Sequence, residues 1–326
     1  MPAESVVYYT QRSEAISRLE ENPRVTRQMV DELIMAVTGQ KSVAAGWRSL
    51  VTPKDRIGIK VSAAGGRYFS THLGVVEAIV AGLEQAGVPA AQIIVWDRDA
   101  ERLKEARFIN RRGGYTVRSI PTSESYDRAT ELVAPVLGKL IWGDLLFQEK
   151  QRKASLFRAS EAEMLSSTSH LATVLSREVT KVINVPVLAD ESACGVAGAL
   201  YNMTIPNIDN WRRFLQSDIS GADSIPALYD DEHIGAKVVL HILDGLVAQY
   251  AGGPSGNPNY AFAHGTLYAS KDPVAIDTVA VRQLEAWRHE ARLPPIGARA
   301  EWLHTASELG LGNAEHIDLK KITTEP

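Results

Sequence analysis

Short apolar runs rich in β-branched residues alternate along the chain with segments of helical periodicity. The clearest unit begins with a strand at Arg56–Val61, continues through a helix whose apolar residues recur over Leu73–Leu83, and returns to a strand at Gln92–Trp96. Apolar spacing of three and four residues is typical of a helix packed on one face. A second helix, Ala100–Arg112, leads to a third strand, Tyr115–Ile120. This order of strands and helices predicts a parallel sheet with right-handed crossovers.

The second half of the chain has a less regular pattern, in which strands and helices still alternate. No repeat, low-complexity tract or clear linker divides it. We predict the following elements there: strands at Lys139–Phe147 and Ala154–Arg158, a helix at Glu161–Arg177, a strand at Lys181–Val185, helices at Gly195–Met203 and Ile208–Leu215, strands at Lys237–Leu243 and Gly265–Ala269, and helices at Asp272–Arg292 and Arg299–Leu309.

The pattern as a whole predicts an α/β fold. Its expected core, at about residues 56–284, is a mostly parallel, twisted sheet with helices on both faces. Residues 1–50 and 285–326 are expected to be helical additions, which makes residues 1–326 a single domain. Two intertwined lobes are the alternative, because the middle of the chain is its least regular part.

The composition narrows the classes of partner and cofactor. The chain has 326 residues and a formal net charge of −4, which does not favour nucleic acid or an anionic membrane surface as a partner. Its one cysteine, Cys194, cannot form an internal disulfide, a cysteine-based zinc site or an iron–sulfur cluster. No apolar run reaches the roughly 20 residues of a membrane span. The first residues have no signal-peptide pattern, so the cytoplasm is the default expectation, with the periplasm as the alternative if a leader precedes this sequence.

Small polar and acidic residues follow the predicted strands at the points where the strands end. In an open parallel sheet, ligands bind beyond the carboxyl ends of the strands, because helix N-termini and loop amides converge there. Asp277 is a further candidate, since it lies within an apolar helical run, where a carboxylate needs a partner or a polar face. The strand-end residues that we expect to share one edge of the sheet are Ser62, Asp97, Asp190, Asp244 and Asp272.

Several of these positions have a structural alternative. Asp272 precedes Pro273 and fits the N-cap of the last long helix. The turn Gly252–Gly256 is either a nest of backbone amides that binds an anion or a plain turn. His241 and Asp244 are three apart on a predicted strand, so their side chains point to opposite faces, which favours a packing role for His241. Carboxylates suit a hard divalent cation, but no spacing here defines a metal geometry, so a metal site is left open.

Three blocks of the sequence match the pattern of one family. The blocks are Val51–Lys60 with His72, Val182–Pro186 with Gly195–Asn202, and Asp244–Gly245 with Gly253–Gly256 and Ala269–Asp277. On these blocks the chain resembles the domain of unknown function 362 of bacteria and archaea. The resemblance extends from about Arg56 to about Leu284.

The chain departs from that family at several polar positions. Val61-Ser62 stands where relatives commonly have Pro-Asn, and Asp190-Glu191 stands where they commonly have lysine and histidine. Tyr201 replaces a usual lysine, while Asn202 is retained. Many relatives carry cysteine-rich ferredoxin segments, which one cysteine cannot supply. The resemblance therefore implies a divergent member without an iron–sulfur cluster.

Three functions fit these observations. The first is an enzyme acting on a small polar or anionic metabolite, with or without a divalent metal; the second is a non-catalytic ligand-binding or maturation protein; the third is a structural scaffold. The first two have a small-molecule ligand, and the oligomeric state is left open. Candidate catalytic residues are Asp97, Asp190 and Asp244, as bases or cation ligands, and Asp277, for which no particular role is specified. Candidate substrate-binding residues are Lys60, Ser62, His72, Asn202, Gly253, Ser255, Gly256 and Asp272.

Overall fold

The computed structural model describes residues 4–157, 164–215 and 221–322. Its strands are β1 (Ser5–Gln11), β2 (Ile16–Ser17), β3 (Glu20–Glu21), β4 (Ile57–Val61), β5 (Ile93–Trp96), β6 (Thr116–Arg118), β7 (Tyr126–Lys139), β8 (Leu165–Ala172), β9 (Lys181–Val185), β10 (Val187–Glu191), β11 (Gly195–Val196), β12 (Val238–Gln249), β13 (Ala261–Ser270) and β14 (Ile317–Lys321). Its α-helices are α1 (Pro23–Thr38), α2 (Val43–Leu50), α3 (Gly66–Phe69), α4 (Leu73–Gln85), α5 (Ala100–Glu105), α6 (Phe147–Phe157), α7 (Ala199–Thr204), α8 (Ser224–Tyr229), α9 (Pro273–Glu290) and α10 (Trp302–Glu308).

Most of the strands belong to one large sheet. Its order is β14-β1-β13-β12-β9-β4-β5-β6, and β10 lies beside the second half of β12 with β11 as its other partner. Strands β4, β5, β6, β9 and β12 run parallel to one another, which confirms the parallel sheet predicted from the first three. Strand β13 runs antiparallel to both β12 and β1. A short loop joins β12 to β13, and strands joined in this way pair antiparallel.

Helices cover both faces of this sheet because the strand residues alternate between two apolar layers. In β4, Ile57, Ile59 and Val61 belong to the layer that contains α1, α2 and α4. The Lys60 side chain points to the other face, where α7, α8 and α9 form the second layer. The predicted fold class, a mostly parallel sheet with helices on both faces, is confirmed.

The structure corrects the prediction for the middle of the chain. Strands β7 and β8 form a separate antiparallel sheet, and α6 lies between them in sequence. The outward face of β7 carries the apolar Val133 and Leu137, so apolar and polar residues do not alternate along this strand as they do along most half-buried strands. Arg158 and residues 161–163 lie outside the described residues. The predicted elements that are wrong are the strands Lys139–Phe147 and Ala154–Arg158 and the helix Glu161–Arg177.

The two ends of the chain also differ from the prediction. Strands β1 and β14 extend the sheet beside β13, so the additions at 1–50 and 285–326 are not wholly helical. Helix α5 ends at Glu105 rather than Arg112, because the backbone turns left-handed at Arg107, with φ of 72°. Within the described ranges, every helix is too short or too polar to span a lipid bilayer.

Candidate functional site

A row of three polar side chains crosses the centre of the sheet on the face covered by α7 and α8. Lys60 on β4 lies beside Asn184 on β9, and Asn184 lies beside His241 on β12. Asn184 Nδ2 lies 3.1 Å from His241 Nδ1, and His241 Nε2 lies 3.3 Å from the Tyr229 hydroxyl. Burial lowers the pKa of His241 to about 3, so its imidazole stays neutral. This geometry fits the packing role expected for His241.

Lys60 is a fully buried lysine whose donors are all engaged. Its Nζ lies 2.8 Å from Asp97 Oδ1, 3.0 Å from Asn202 Oδ1 and 2.7 Å from the carbonyl oxygen of Val61. Burial lowers the pKa of Lys60, although the adjacent Asp97 carboxylate opposes this effect. Because an ammonium group has three donors, Lys60 has none left for a ligand.

Asp97 directly follows β5 and is held from two sides by the neighbouring strand. Its Oδ1 accepts from Lys60, and its Oδ2 accepts the backbone N–H of Ala63 at 2.7 Å. Both donors come from β4 and the loop after it, because β4 and β5 are adjacent parallel strands. A carboxylate retains lone pairs after two hydrogen bonds, so Asp97 can still accept a third from a ligand.

Asn202 links this ion pair to the rest of the polar row. Its Oδ1 accepts from Lys60, and its Nδ2 donates to Asn184 Oδ1 at 2.8 Å. The short helix α7 carries Asn202 onto the sheet, and Asn184 Nδ2 in turn donates to the carbonyl oxygen of Ala199 in that helix at 2.8 Å. The two asparagines therefore fix α7 to the centre of the sheet.

Asp277 holds the N-terminus of α7 from the neighbouring helix α9. Its two carboxylate oxygens accept the backbone N–H groups of Ala199 at 2.5 Å and Leu200 at 3.0 Å. Burial raises the pKa of Asp277 to about 7, although these two hydrogen bonds act in the opposite direction. A Cβ on Gly198 would lie 2.1 Å from Asp277 Oδ1, so this approach requires a glycine. Asp277 thus positions Asn202 indirectly, through α7.

A cavity of about 290 Å³, which we call the site cavity, opens at the carboxyl ends of β4 and β5. Four of the predicted site residues line it: Ser62, Asp97, Asn202 and Ser255. The rest of its wall is largely apolar and aromatic, including Phe69, Val187, Ala197, Ile205, Trp211 and Leu215. The structure therefore brings together residues from four separate segments around one cavity.

Two hydroxyl groups of the cavity wall are available to a ligand. Tyr201 and Ser62 both line the site cavity, and neither hydroxyl forms a hydrogen bond with another described residue. Burial raises the pKa of Tyr201 well above its usual range, so this phenol stays protonated at neutral pH. Each hydroxyl can donate one hydrogen bond and accept others.

The two arginines of the cavity rim are engaged with the protein. The Arg98 guanidinium donates to three backbone carbonyl groups in the segment after α7, at 2.6 to 3.2 Å. Arg102 pairs with Glu105 at 2.9 Å, and both side chains are about half exposed. Arg98 thus stabilises the wall itself, while Arg102 lies at the mouth.

His72 and Asp244 form a second buried pair, on the opposite face of the sheet. His72 Nδ1 lies 2.9 Å from Asp244 Oδ2, and the His72 backbone N–H donates to the same oxygen at 2.7 Å. Burial disfavours the charged imidazole, but the Asp244 carboxylate outweighs it, so the pKa of His72 is raised. Neither residue is part of the cavity lining. The pair holds the start of α4 against β12.

Asp190 holds the glycine-rich turn against the end of the sheet. Its Oδ1 accepts the backbone N–H of Gly253 at 2.9 Å, and burial raises the pKa of Asp190. A Cβ on Gly253 would lie 2.0 Å from the Asp190 carbonyl oxygen, and one on Gly256 would lie 2.3 Å from the Phe69 ring. The two glycines therefore permit a close approach that places Ser255 at the site cavity.

Asp272 lies at the opposite edge of the sheet, so the expectation that it shares an edge with the other strand-end residues is wrong. It follows β13, which is antiparallel, and the carboxyl end of such a strand lies where its parallel neighbours begin. Its carboxylate accepts the backbone N–H of Ala275 at 2.8 Å and that of Asn313 at 2.9 Å. The alternative role of Asp272, as the N-cap of α9, is confirmed.

The candidate carboxylates do not converge on a metal site. In the part of the chain that the structure describes, no group of three or more His, Cys, Asp or Glu side chains is placed to hold an ion. The predicted carboxylates occupy different faces and edges of the sheet, and each has backbone or side-chain donors of its own: Asp97, Asp190, Asp244, Asp272 and Asp277.

Sequence reasoning missed much of the cavity wall. Tyr201 was visible only as a departure from the family pattern, which is a signal that could have identified it. Phe69 ends the one-turn helix α3 and Trp211 begins the 3₁₀ helix Trp211–Leu215, and neither residue lies in a motif. Trp211 is held between the guanidinium groups of Arg98 and Arg212, at 4.7 and 4.4 Å from its ring centre, a contact that only the folded chain creates.

The fold and the site cavity define an α/β protein with a cavity at the carboxyl edge of its sheet. The model of the family described as "Domain of unknown function (DUF362)" matches residues 147–282 of this chain. The match confirms the resemblance, and its limits are narrower than the predicted range from Arg56 to Leu284.

Two further comparisons add little to this assignment. A crystal structure of a protein from Thermotoga maritima is similar, with 13% sequence identity and a TM-score of 0.41, over 77% of this chain and 58% of that chain. This chain thus spans less than two thirds of that protein's length. No curated protein matches the chain.

Proposed function

We propose that the protein binds a small organic molecule in the site cavity, and that the ligand donates a hydrogen bond to Asp97. The observation that carries this proposal is the convergence of Ser62, Asp97 and Asn202, from three separate elements, on one largely apolar cavity. Open α/β sheets bind their ligands at this edge, in pockets with a few polar groups set in apolar walls.

The polar groups of the cavity favour a neutral or cationic ligand over an anionic one. Asp97 is an acceptor at its Oδ atoms, and the adjacent Lys60 has no donor left to neutralise an incoming anion. A hydroxyl or amine on the ligand satisfies Asp97, whereas a phosphate or carboxylate would be repelled by it. Of the two ligand classes expected from the sequence, the polar class is therefore the one we propose.

The test is a thermal-shift screen with small hydroxylated and aminated compounds, followed by titration of the hits against matched variants. Tyr201→Phe and Ser62→Ala each remove a hydroxyl that lacks a hydrogen bond within the described residues, so both should fold normally. We expect each to weaken binding by roughly two- to tenfold, the effect of one lost hydrogen bond. Tyr8→Phe, at a partly buried tyrosine of β1 outside the cavity, is the control and should leave affinity unchanged.

Two results would contradict this proposal. One is a set of hits whose affinities are equal in the wild type, Tyr201→Phe and Ser62→Ala, because the ligand would then lie elsewhere. The other is a preference of the wild type for phosphate or carboxylate compounds over hydroxylated and aminated ones. Asp97→Asn keeps an acceptor for Lys60 but turns its amide N–H₂ toward the Ala63 N–H, so circular dichroism must first show that this variant is folded.

Catalysis at the same site is a second candidate, favoured by the lowered pKa of Lys60 beside Asp97. In this role Asp97 would act as a general base that removes a proton from the bound ligand, and Lys60 in its neutral form would take that proton from Asp97. Mass spectrometry of each hit after incubation in deuterated buffer tests this role. Product or deuterium uptake that disappears in Asp97→Asn supports catalysis, and unchanged ligand supports non-catalytic binding.

A further inference from the structure

The charges around the site cavity balance one another. Two carboxylates and two guanidinium groups belong to its wall: Asp97, Asp99, Arg98 and Arg102. Lys60 lies behind this wall, with its ammonium group 2.8 Å from Asp97 Oδ1, so the buried carboxylate of the wall already has a cation beside it. A ligand with a net charge would find no uncompensated opposite charge in the cavity, and burying such a charge is costly.

Two cations near Asp97 act against an ammonium group on the ligand. Lys60 donates to Asp97 Oδ1, and the Arg98 guanidinium is close enough to Lys60 and to Tyr201 to interact with both electrostatically. An ammonium group that reached Asp97 would meet both fixed cations there. A hydroxyl or an amide N–H donates the same hydrogen bond without a charge. The polar end of the cavity therefore favours an uncharged donor over a cationic one.

The groups that remain available at this end are one carboxylate and two hydroxyls. Asp97 accepts, and the hydroxyls of Ser62 and Tyr201 each donate as well as accept. Asn202 has no N–H left for a ligand, since its Nδ2 donates to two oxygen atoms of the protein, at 2.8 and 3.4 Å. An ammonium group can only donate and a carboxylate can only accept. A hydroxyl or a carboxamide does both, so it satisfies Asp97 and a hydroxyl of the wall together.

The remainder of the wall fits an apolar body on the ligand. The large apolar side chains that line it are those of Phe69, Val187, Ile205, Trp211 and Leu215. A cavity of roughly 150 Å³ holds one benzene ring, so the 290 Å³ of the site cavity has room for about a dozen non-hydrogen atoms. This is the size of two fused aromatic rings with one small polar group.

We infer that the ligand of the site cavity is an uncharged molecule that carries a hydroxyl or carboxamide group on an apolar ring system. This inference rests on the binding proposed above and narrows it, because that proposal also allows charged amines. The hydroxyl or amide N–H donates to Asp97, the oxygen of the same group accepts from Tyr201 or Ser62, and the rings lie against the apolar wall.

Equilibrium dialysis with matched probes tests the class of ligand. Naphthylmethanol and naphthamide carry the uncharged groups, while naphthylmethylamine and naphthoate carry an ammonium and a carboxylate on the same rings. We expect the uncharged probes to bind at least roughly tenfold more tightly than the charged ones, because a charged group loses its hydration without gaining a net counter-charge. Propionamide has the amide without the rings and should bind at least about a hundredfold more weakly than naphthamide.

Arg102→Gln tests whether the balance of charges sets this preference. The variant removes a cation from the mouth of the cavity, so the affinity for naphthylmethylamine should rise about two- to threefold relative to that for naphthylmethanol. The expected change is small because the Arg102 side chain is about half exposed. Lys104→Gln removes a cation from an exposed position of the same helix, outside the cavity lining, and should leave the ratio unchanged. An unchanged ratio in Arg102→Gln would overturn the argument from charge.

Two other results would overturn the inference and leave the proposed function in place. One is that naphthylmethylamine binds as tightly as naphthylmethanol while Tyr201→Phe weakens the binding of both, because the cavity would then accept a cation equally well. The other is that no naphthyl probe binds at its solubility limit, while hits from the wider screen still respond to Tyr201→Phe. Probe binding that is insensitive to both Tyr201→Phe and Ser62→Ala would contradict the proposed function itself and, with it, this inference.

Discussion

Asp277→Asn should change how the stability of the protein depends on pH. The carboxyl group is completely buried, and its pKa is raised from 3.8 to about 7. A group whose pKa is higher in the folded state stabilises the fold fully below its unfolded pKa, and this contribution is lost as the pH rises through the folded pKa. The relevant window therefore extends from about pH 4 to about pH 7.

The size of the effect follows from the shift. A difference of about three pKa units corresponds to about 4 kcal/mol when the loss is complete. Between pH 5 and pH 8, the part lost is about 2.5 kcal/mol. Asparagine has nearly the same volume and does not titrate, so the variant should lack this loss. In the variant, the side-chain amide oxygen can accept from the Ala199 N–H, but the amide N–H₂ then faces the N–H of Leu200. Two donors that face each other destabilise the fold, and this cost is independent of pH.

The assay is urea unfolding of the wild type and Asp277→Asn at pH 5 and pH 8. Other titrating groups, such as His72 and Asp190, are common to both proteins and cancel in the difference between them. At pH 5, the free energy of unfolding should be clearly lower for the variant than for the wild type, and this difference should be about 2.5 kcal/mol smaller at pH 8. A difference that is the same at both pH values within ~0.5 kcal/mol would refute the reasoning, because the two backbone donors would then keep the carboxylate ionised throughout.

Two further predictions concern residues that hold the structure around the site. Gly198→Ala should destabilise the protein by about 3 kcal/mol or more in urea unfolding, because its Cβ would lie 2.1 Å from Asp277 Oδ1. Gly114→Ala is the control: a Cβ there would lie 3.5 Å from its nearest neighbour, so this variant should lose less than ~1 kcal/mol of stability. Equal losses of stability in the two variants would contradict the close contact of Gly198 with Asp277. Arg213→Lys should cost about 3 kcal/mol or more and make the hairpin of β7 and β8 sensitive to protease, since an ammonium cannot replace the guanidinium fork. Arg212→Lys is the control, and similar behaviour of the two variants would argue against this role.

The first strands of the sheet could be predicted from sequence because their signals are local. The apolar run of β4 and the helical spacing of α4 each lie within a few residues, and both elements formed as predicted. Asp97 was found in the same way, as the polar residue that ends an apolar strand. The same reasoning was less successful for Asp244, which lies within the parallel strand β12 and pairs with His72 on the other face of the sheet.

The hairpin of β7 and β8 could not be predicted because both of its faces carry apolar residues. Leu132, Ala134 and Val136 point inward and Val133 and Leu137 point outward, so no alternation of apolar and polar residues is left to read. The exposed apolar residues Val133 and Leu137 are therefore the reason that this strand was not predicted.

The contacts of the site itself are long-range and were not visible in sequence. Lys60 lies 37 positions from Asp97 and 142 from Asn202, and no local pattern joins the three. Lys60 was expected to bind substrate, but its three donors are taken by neighbouring oxygens. Whether a polar side chain is available to a ligand depends on every group around it, which only the packed structure specifies.

By itself, the sequence determined the α/β class, the first parallel strands and the N-cap at Asp272, because each depends on residues close together in the chain. Only the tertiary structure decided which strand-end residues meet. The direction of β13 sends Asp272 to the far edge, and the alternation along β12 turns Asp244 away from Asp97. The direction of a strand and the face to which each of its side chains points depend on pairing between segments that are distant in sequence. The packing of the whole sheet determines these pairings, and no single strand does so.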